Sequence, residues 1–548
     1  MPFSDDRSLD GRSGGRSDDR SDVIVIGSGA GGGVIAKELG EAGLKVIVLE
    51  AGKRYRPYDD YPTQALDFEV RTTDIFLPED ERRDWYTAPR SNPFSYHRVK
   101  GVGGSTLAYH AMNPRFHVSD FRVRSEDGVA DDWPFSYADL EPYYTKVEYE
   151  LGVSGPNGAD ANPFEPTRSQ PFPTPPHELN LASRAIKRGA DKLGLHLVRE
   201  PLAIPTMDWN GRPACINAGT CRLGCKIAAK SSIDVTYIPK AEKTKRVQIR
   251  TECMAREITV GPDGKARSVI YFDADGQEQE ILAHVIVVAG NAVETARLLL
   301  LSKSRLFPDG LANSSGLVGK RFMEHLSVFA HGIFSERLDP WRGVPTGGII
   351  QDFYATNPTN DFVRGWTISV ENENQWPLTT ATSIPGWGVE HKARMKEIFG
   401  RRVGVASDGE QLPDERNQVR LDPVVKDNYG LPVPLIINHH FQNDLAMIDA
   451  MAARHREILE AAGARDIHVE DIVPGSSSHY LGTCRMGKDS NISVVDSECR
   501  THDVPNLFIG DGSVFVTGAA VNPALTISAL ATRTADGIIA AFKRGEFS

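Results

Sequence analysis

The sequence of 548 residues lacks any long apolar run, and its first 22 residues lack the apolar stretch of a secretory signal peptide. A membrane-spanning helix needs roughly 18 consecutive apolar residues, so none is expected. The opening residues are mostly Ser, Asp, Arg and Gly, which predicts a disordered tail over residues 1–21. These absences lead us to expect a cytoplasmic protein.

Two further shortages narrow the classes of function. Basic residues do not predominate, because 62 Lys and Arg stand against 73 Asp and Glu, a formal net charge of −11. A nucleic-acid or anionic-membrane surface is usually marked by a basic stripe, so neither partner is expected. The chain also has only 6 Cys, which do not form a disulfide framework in a protein of this length.

Glycine, in contrast, is concentrated near the N-terminus, in VIVIGSGAGGG at residues 23–33. Alternating Val and Ile predict a buried parallel strand over 23–27, and small residues with helical spacing predict a helix over 31–43. KVIVLE predicts a second strand over 45–50. Strand, helix and strand together form a βαβ unit of the kind that binds a dinucleotide.

The glycines and the acid of this unit have separate roles. Gly27 permits the tight turn after the strand, Gly29 lets the backbone approach a pyrophosphate, and Gly32 lets the helix pack closely on the strand. Glu50 follows Gly29 by 21 residues and ends the second strand. A carboxylate there accepts hydrogen bonds from the ribose hydroxyls and repels a 2′-phosphate, which disfavours NADP. NAD and FAD both remain open at this point.

A second glycine-rich segment, RVKGVGGST at residues 98–106, bears on that choice. An NAD domain does not need another glycine loop well after the acid, whereas the diphosphate and isoalloxazine ring of a flavin need a longer cradle. On its own, the segment is equally consistent with a surface turn, since paired glycines are common in turns.

The pattern along the chain predicts an α/β protein with two discontinuous domains. The stretch HVIVVAGNAVETARLLLLS at 284–302 repeats the pattern of strand, turn and helix. The segment that begins with PNLFIGDGSVF repeats it again. A Pro-rich stretch and long runs of alternating apolar and polar residues lie between the segments of this pattern. We predict a Rossmann-like FAD-binding domain from residues 22–115, 215–318 and 475–548. The second domain is predicted to be an α+β substrate-binding domain on an antiparallel sheet, from residues 116–214 and 319–474.

Several segments, in this order, resemble the glucose–methanol–choline (GMC) oxidoreductases, a family of FAD enzymes. They are VIGSGAGGGVIAKELGEAGLKVIVLEAG, VKGVGGST, VVAGNAVETARLLLLS, GKRFMEHL, SHYLGTCRMG and PNLFIGDGSVFVTGAAVNPALTISALATRTADGI. VVDSECRTHDVPNLFI is most similar to the catalytic subunits of bacterial sugar and polyol dehydrogenases. The resemblance implies flavin-dependent oxidation of a CH–OH group.

The resemblance also implies which residues bind the cofactor. Those that would hold the ADP half of FAD are Gly27, Gly29, Gly32 and Glu50. The others are Gly103, Gly104, Ser105 and Thr106 beside the diphosphate and ring, Ala255 at the adenine through its main chain, and Asp511 and Gly512 at the diphosphate and ribityl chain. Some relatives link the flavin to a His just after the GGS stretch, where this chain has Leu107, Ala108 and Tyr109, so non-covalent FAD is expected.

The family's catalytic histidine position is occupied by His479, in SSSHYLGTCRMG, and its second position by Asn522, in VNPALT. The resemblance implies that His479 takes the hydroxyl proton of the alcohol while a hydride passes from carbon to flavin N5. Asn522 cannot accept a proton and would hydrogen-bond the same substrate oxygen. The pair His439 and His440 remains open between substrate contact and a structural role.

Cys215, Cys221 and Cys225 lie six and four residues apart, and three thiolates at short spacing can hold an iron–sulfur cluster. The sugar dehydrogenases that the chain resembles carry a three-iron cluster on three cysteines, which would relay electrons to a small subunit or a cytochrome. Arg222 and Lys226 are expected to lower the thiol pKa values. The alternative is a structural loop without a cluster. Zinc is disfavoured because it usually takes four ligands, and no other metal site is predicted.

The expected activity is oxidation of a sugar, glycoside or polyol hydroxyl, by a dehydrogenase rather than an oxidase. One alternative is a GMC enzyme for aliphatic, aromatic or steroid alcohols. Another is a flavin-binding electron-carrier subunit, which the presence of His479 and Asn522 disfavours. A nicotinamide dehydrogenase would need a second nucleotide-binding βαβ unit, which the sequence does not offer. Export with a signal-bearing partner subunit would make the protein periplasmic instead of cytoplasmic.

Overall fold

The structure is a computed structural model that describes residues 20–61, 85–372, 377–472 and 474–547. Residues 1–19 of the predicted tail lie outside the described residues, whereas Arg20 and Ser21 already belong to the first strand.

The described strands and helices are as follows. The strands are β1 (Arg20–Ile26), β2 (Val46–Leu49), β3 (Leu197–Val198), β4 (Val247–Arg250), β5 (Met254–Val260), β6 (Ala266–Phe272), β7 (Glu278–Val288), β8 (His325–Ile333), β9 (Thr346–Ile350), β10 (Trp366–Glu371), β11 (Arg402–Glu410), β12 (Gln418–Lys426), β13 (Pro432–Ile437), β14 (Arg465–Val469) and β15 (Leu507–Ile509). The helices are α1 (Gly32–Glu41), α2 (Pro57–Asp60), α3 (Val123–Asp127), α4 (Tyr137–Leu151), α5 (Leu181–Lys192), α6 (Tyr237–Lys243), α7 (Ala292–Leu301), α8 (Pro377–Ser383), α9 (Gly388–Ile398), α10 (Gln442–Ala462) and α11 (Ala524–Lys543).

The first sheet contains the predicted nucleotide-binding unit. Its parallel strands run in the order β4–β2–β1–β7–β15, and β5 and β6 extend it antiparallel to the first part of β7. The side chains of Val23, Ile24 and Val25 are fully buried, which explains their uninterrupted apolar sequence in a strand covered on both faces. Because these strands are parallel, their carboxyl ends meet at one edge of the sheet.

The second sheet is antiparallel, as predicted from the alternating runs. Its strands run in the order β14–β8–β11–β10–β9–β3. The helices α5 and α10 pack against one of its faces and bury Val328, Val405 and Ile368 from its three central strands. The face of the second sheet that is opposite these two helices is not covered by them. The ribbon of β12 and β13 pairs separately.

The helix α11 has the length and composition of a membrane span, although no such helix is expected from the sequence. In this structure, 61% of its most apolar window is buried inside the protein. The helix packs against α1 and α4, so its apolar residues contribute to the core around the first sheet.

A buried arginine connects the second sheet to the segment that precedes α4. Arg364, which is 2% exposed, donates hydrogen bonds to Asp120 at 2.5 Å and to Glu410 at 2.6 Å. It also donates to Asp127 at 2.8 Å, and the hydroxyl of Tyr354 donates to Asp120 at 2.6 Å. Loss of one partner would leave a buried charge unpaired, which usually costs about 3–5 kcal/mol. This network therefore fixes the end of β11 in place.

Backbone segments at the carboxyl edge of the first sheet approach too closely for a side chain. A Cβ on Gly27, whose φ is +97°, would lie 2.3 Å from the carbonyl oxygen of Ala289. A Cβ on Gly32 would lie 2.1 Å from the oxygen of Gly27, as expected where the helix packs on the strand. An even closer contact involves Gly31, because a Cβ there would lie 1.6 Å from the oxygen of Gly510.

The substitution Gly31→Ala is expected to destabilise the protein by about 3 kcal/mol or more, because the new methyl group must displace the backbone at Gly510. Gly537→Ala on α11 is the matched control, since its Cβ would meet only the carboxylate of Glu498 at 3.3 Å. The control should be neutral or more stable by about 0.5–1 kcal/mol. Urea unfolding of both variants measures the difference, and equal stabilities would contradict the proposed contact.

Candidate active site

Glu50 organises the turn after β1. One carboxylate oxygen accepts hydrogen bonds from the N–H of Ser28 at 3.1 Å and from its hydroxyl at 2.6 Å. The other oxygen accepts the N–H of Gly52 at 2.9 Å. Burial raises the pKa of Glu50, and these donors oppose the rise by stabilising the carboxylate. The acid therefore holds the turn as well as facing the predicted ribose position.

Ser28 joins the two glycine-rich segments. Its hydroxyl oxygen accepts the N–H of Gly103 at 3.1 Å while its proton goes to Glu50. Gly104 also contacts the first segment, since a Cβ on it would lie 2.8 Å from the Cα of Gly29. The structure therefore brings Gly29, Gly103 and Gly104 together, as predicted.

Gly29 is the least crowded glycine of this cradle. A Cβ on Gly29 would meet no atom closer than 3.7 Å, unlike the other glycines of the motif, and the N-terminus of α1 lies at the same turn. Such a helix end with nearby backbone N–H groups suits a diphosphate. Thr106 stabilises the cradle by donating to the oxygen of Gly103 at 2.6 Å, whereas Ser105 is exposed and accepts the N–H of Val99 at 3.3 Å.

Asp511 lies where the last strand of the first sheet ends. Its carboxylate accepts the N–H of Asn291 at 3.1 Å, the hydroxyl of Thr295 at 2.5 Å and the N–H of Ser513 at 2.9 Å. Burial raises the pKa of Asp511, which these donors counter. Asp511 and the adjacent Gly512 are thus fixed against the start of α7, at the same sheet edge as Glu50.

Ala255 lies in β5, beyond Glu50. The N–H of Cys253, two residues before Ala255, donates to the backbone oxygen of Glu50 at 2.9 Å. The main chain just before Ala255 is therefore held against the end of β2, and the contact of Ala255 with adenine stays a prediction.

The imidazole of His479 lies between two other polar side chains. Its Nδ1 is 2.8 Å from Nδ1 of His325, and its Nε2 is 3.2 Å from Nδ2 of Asn522. Asp408 is close as well, with its Oδ1 4.0 Å from Nδ1 of His479. The two residues that the sequence predicted as catalytic are thus neighbours, although 43 residues separate them in the chain.

The surroundings of His325 define the tautomer of His479. Nε2 of His325 lies 3.1 Å from the oxygen of Gly518 and 2.9 Å from that of Ala519. Carbonyl oxygens only accept hydrogen bonds, so this nitrogen carries the proton and Nδ1 of a neutral His325 is an acceptor. We assign the N–H of the contact between the two rings to Nδ1 of His479. Its Nε2 then carries a lone pair, which accepts a hydrogen bond from the amide of Asn522.

The environment also keeps His479 uncharged. Burial lowers the pKa of His479 to about 4, and the neighbouring His325 and His110 act in the same direction. The negative charge of Asp408 opposes them. At neutral pH, His479 is therefore a neutral imidazole that can accept a proton at Nε2.

His325, Asp408 and His479 also form the one group of three in the described part of the chain whose potential metal-ligand atoms all lie within 4.8 Å of one another. The two imidazoles are hydrogen-bonded to each other, which accounts for the close approach. Nδ1 of His439 lies 3.2 Å from Nδ2 of Asn92, and Nε2 of His440 lies 3.6 Å from a carboxylate oxygen of Glu324, the residue before His325.

The three clustered cysteines lie in one loop, where two of their sulfur atoms accept backbone hydrogen bonds. The sulfur of Cys215 accepts the N–H of Asn217 at 3.3 Å, and that of Cys225 accepts the N–H of Lys230 at 3.4 Å. Cys221 is buried. Burial raises the pKa of Cys215, which is opposite to the lowering predicted from nearby basic residues. The structure gives no support to the candidate iron–sulfur cluster.

Comparison with known proteins identifies the family. The family model of the GMC oxidoreductases matches residues 21–327 with its N-terminal part and residues 413–531 with its C-terminal part. The chain belongs to the GMC oxidoreductases. As in that family, it is an FAD-dependent enzyme that acts on CH–OH donors, and the resemblance noted in the sequence is confirmed.

Relatives cover nearly the whole chain. A 2-methyl-1,2-propanediol dehydrogenase of Mycolicibacterium austroafricanum is 35% identical over 95% of this chain and 96% of its own. The large subunit of a fructose dehydrogenase of Gluconobacter japonicus is 29% identical over 96% of this chain and 99% of its own. The solved structure of a formate oxidase of Aspergillus oryzae has a TM-score of 0.68 at 16% identity, covering 97% of this chain and 100% of that one, which shows the shared fold.

The residues of this GMC oxidoreductase fit FAD. The open side of Gly29 at the start of α1 can take the diphosphate, and Glu50 lies at the end of the neighbouring strand for the ribose. Ser28 and Gly31 were not singled out from the sequence. Their roles arise from contacts with Gly103 and Gly510, which local pattern does not reveal.

The substitution Glu50→Gln is expected to lower the flavin content by about tenfold or more, because an amide NH₂ would face the N–H donors of Ser28 or Gly52 and disrupt the turn. Glu252→Gln, a nearby exposed position, is the control and should keep its flavin. Acid precipitation followed by measurement of flavin in the supernatant gives the ratio of flavin to protein. Full flavin content in Glu50→Gln would contradict the role of this carboxylate.

Proposed function

We propose that this enzyme oxidises a CH–OH group of a sugar, glycoside or polyol to a carbonyl, with non-covalent FAD as its cofactor and as a dehydrogenase rather than an oxidase. The observation that carries the proposal is that Nε2 of His479 lies 3.2 Å from Nδ2 of Asn522, so that one substrate hydroxyl can reach both side chains. The names of two relatives, which act on 2-methyl-1,2-propanediol and on fructose, support a polyhydroxy substrate.

His479 acts as the base in this proposal. It takes the proton of the substrate hydroxyl at Nε2, and its low pKa keeps the nitrogen free for this purpose at neutral pH. Asn522 donates a hydrogen bond to the same substrate oxygen and holds it near the base. Bound FAD supplies the flavin that accepts the hydride from the substrate carbon.

His325 is a positioning residue for this base. Its Nδ1 accepts a hydrogen bond from the protonated Nδ1 of His479, so that Nε2 of His479 faces the substrate. The carbonyl groups of Gly518 and Ala519 hold the ring of His325 in turn. These carbonyls precede Asn522 in the same loop, so the base and the amide are placed by one short segment.

The substitution His479→Gln is expected to keep bound flavin and to slow its anaerobic reduction by the alcohol about 10²–10⁴-fold, because glutamine cannot accept the proton. Rapid mixing with fructose, glucose, sorbitol and 1,2-propanediol measures this rate. In the parent enzyme, kcat/KM should fall on the acid side only as the pH approaches about 4, where His479 becomes protonated.

A His479→Gln variant that is reduced at the parent rate would refute the role of the base. A parent flavin that none of these alcohols reduces would instead favour aliphatic or aromatic alcohols, or an electron-carrier subunit.

The substitution His325→Leu is expected to lower kcat about 10- to 100-fold with little change in KM or flavin content, because His479 loses the acceptor that selects its tautomer. His331→Leu, on the same face of β8 but beside Glu470, is the control and should retain activity. Steady-state kinetics with the best alcohol of the panel separate kcat from KM. A rise in KM alone would show that His325 affects only substrate binding.

A further inference from the structure

The face of the second sheet that turns away from α5 and α10 is polar near its middle. Side chains alternate between the two faces of a strand, and directly paired residues share a face. Asp408 of β11 pairs with Ser327 of β8 on one side and with Thr367 of β10 on the other. These three residues therefore form a row across the sheet, opposite the apolar face that contains Val328 and Ile368.

This row adjoins the catalytic base. His325 is two residues before Ser327 on β8, so it lies on the same face, and it contacts His479. The carboxylate of Asp408 accepts a hydrogen bond from Ser327 at 3.5 Å and lies 4.0 Å from His479. The side chain of Asp408 is 19% exposed, as is that of His479, so both remain accessible to a small molecule.

A second carboxyl group reaches this face from outside the sheet. Glu200 follows β3, and its Oε1 accepts a hydrogen bond from Ser369 at 3.4 Å. Ser369 is two residues beyond Thr367 on β10 and shares its face. Glu200 is 2% exposed, yet its Oε2 has no hydrogen bond of 3.5 Å or shorter among the described residues, and neither has the hydroxyl of Thr367 or of the neighbouring Thr346.

Unpaired polar atoms at such a depth are rare, because each costs about 1–3 kcal/mol unless a partner is supplied. The mechanism involving His479 and Asn522 uses neither Glu200 nor Thr367. Both atoms lie on the face that continues to the base, so a polar ligand in the active site would satisfy them. A hydroxyl group is suited to this because it both donates and accepts.

The charge of the two carboxyl groups determines which ligands fit. Burial raises the pKa of Glu200 to about 8, and the charge of Asp408 adds to the rise, while the hydroxyls of Thr346 and Ser369 and the imidazole of His110 oppose it. At neutral pH, Glu200 is then a carboxylic acid that can donate. The carboxylate of Asp408 accepts the hydrogen bond from Ser327. A substrate carboxylate or phosphate would be repelled by Asp408.

We propose that Glu200 and Asp408 are specificity-determining residues that bind the non-reacting hydroxyls of an uncharged polyhydric alcohol and exclude its acid counterparts. This inference rests on the proposed function, because it places the substrate beside His479. It narrows the substrate class to polyols and sugars without a carboxylate or phosphate group.

The test compares matched neutral and acidic substrates. Anaerobic flavin reduction is measured with sorbitol and glucose and with gluconate and glucuronate, for the parent enzyme and for the separate variants Asp408→Asn and Glu200→Gln. Glu470→Gln is the control, because it removes one negative charge beyond β14, next to His331 rather than His479. The flavin absorbance of each variant first establishes that it is folded and loaded.

The parent should prefer the better neutral substrate over its acid by at least about 100-fold in kcat/KM, since like charges in close contact cost several kcal/mol. Asp408→Asn should raise KM for the neutral substrate about tenfold and shrink the preference at least tenfold, because a hydrogen bond to a charged group is lost together with the repulsion. Glu200→Gln should raise KM for the neutral substrate about tenfold, and the control should match the parent.

Three results would overturn this inference. The first is a parent enzyme that oxidises gluconate or glucuronate as well as the neutral compounds. The second is an unchanged preference and KM in both variants, while the parent is reduced by neutral polyols, which would leave the proposed function intact. The third is a parent that no polyol or sugar acid reduces, which would remove the proposed function as well.

Discussion

The close backbone contact between the start of α1 and the end of β15 is the constraint on which the site depends. Gly31 and Gly510 come from opposite ends of the chain, and their contact leaves no room for even one methyl group. It fixes the first glycine turn against the segment that continues to Asp511 and, farther on, to Asn522. The cofactor cradle is thus fixed at the edge of the first sheet, and Asn522 follows in the same segment of the chain.

A loop that follows this edge contacts the second sheet. The oxygen of Ala519 accepts a hydrogen bond from His325 at the start of β8, and a backbone hydrogen bond from Ala519 stabilises the carboxylate of Glu410 at the end of β11. His325 and Glu410 are direct partners in the sheet, and Arg364 holds Glu410 from the other side. The position of the base relative to the cradle is therefore determined by buried polar contacts, which tolerate little displacement because an unpaired partner is costly.

Local sequence patterns predicted those parts of the structure that are formed by residues close together in the chain. Gly27, Gly32 and Glu50 could be assigned because a strand, a turn and a helix follow one another within one short segment. His479 and Asn522 required the resemblance to a family. His325 could not be found either way, since its contact with His479 spans 154 residues. The iron–sulfur cluster that the cysteine spacing indicated stays a prediction, because spacing alone does not define the surroundings of the three sulfur atoms.

The alternation of side chains in the second sheet separates two demands on this protein. Positions such as Val328, Ile368 and Val405 maintain the packing on α5 and α10, whereas their immediate neighbours Ser327, Thr367 and Asp408 face the substrate side. Exchanges at the second set leave the apolar layer untouched, because side chains on opposite faces of a strand do not pack against each other. Because of this division, Ser327, Thr367 and Asp408 are a compact set of positions at which substitutions can alter the substrate range, in evolution or in the laboratory.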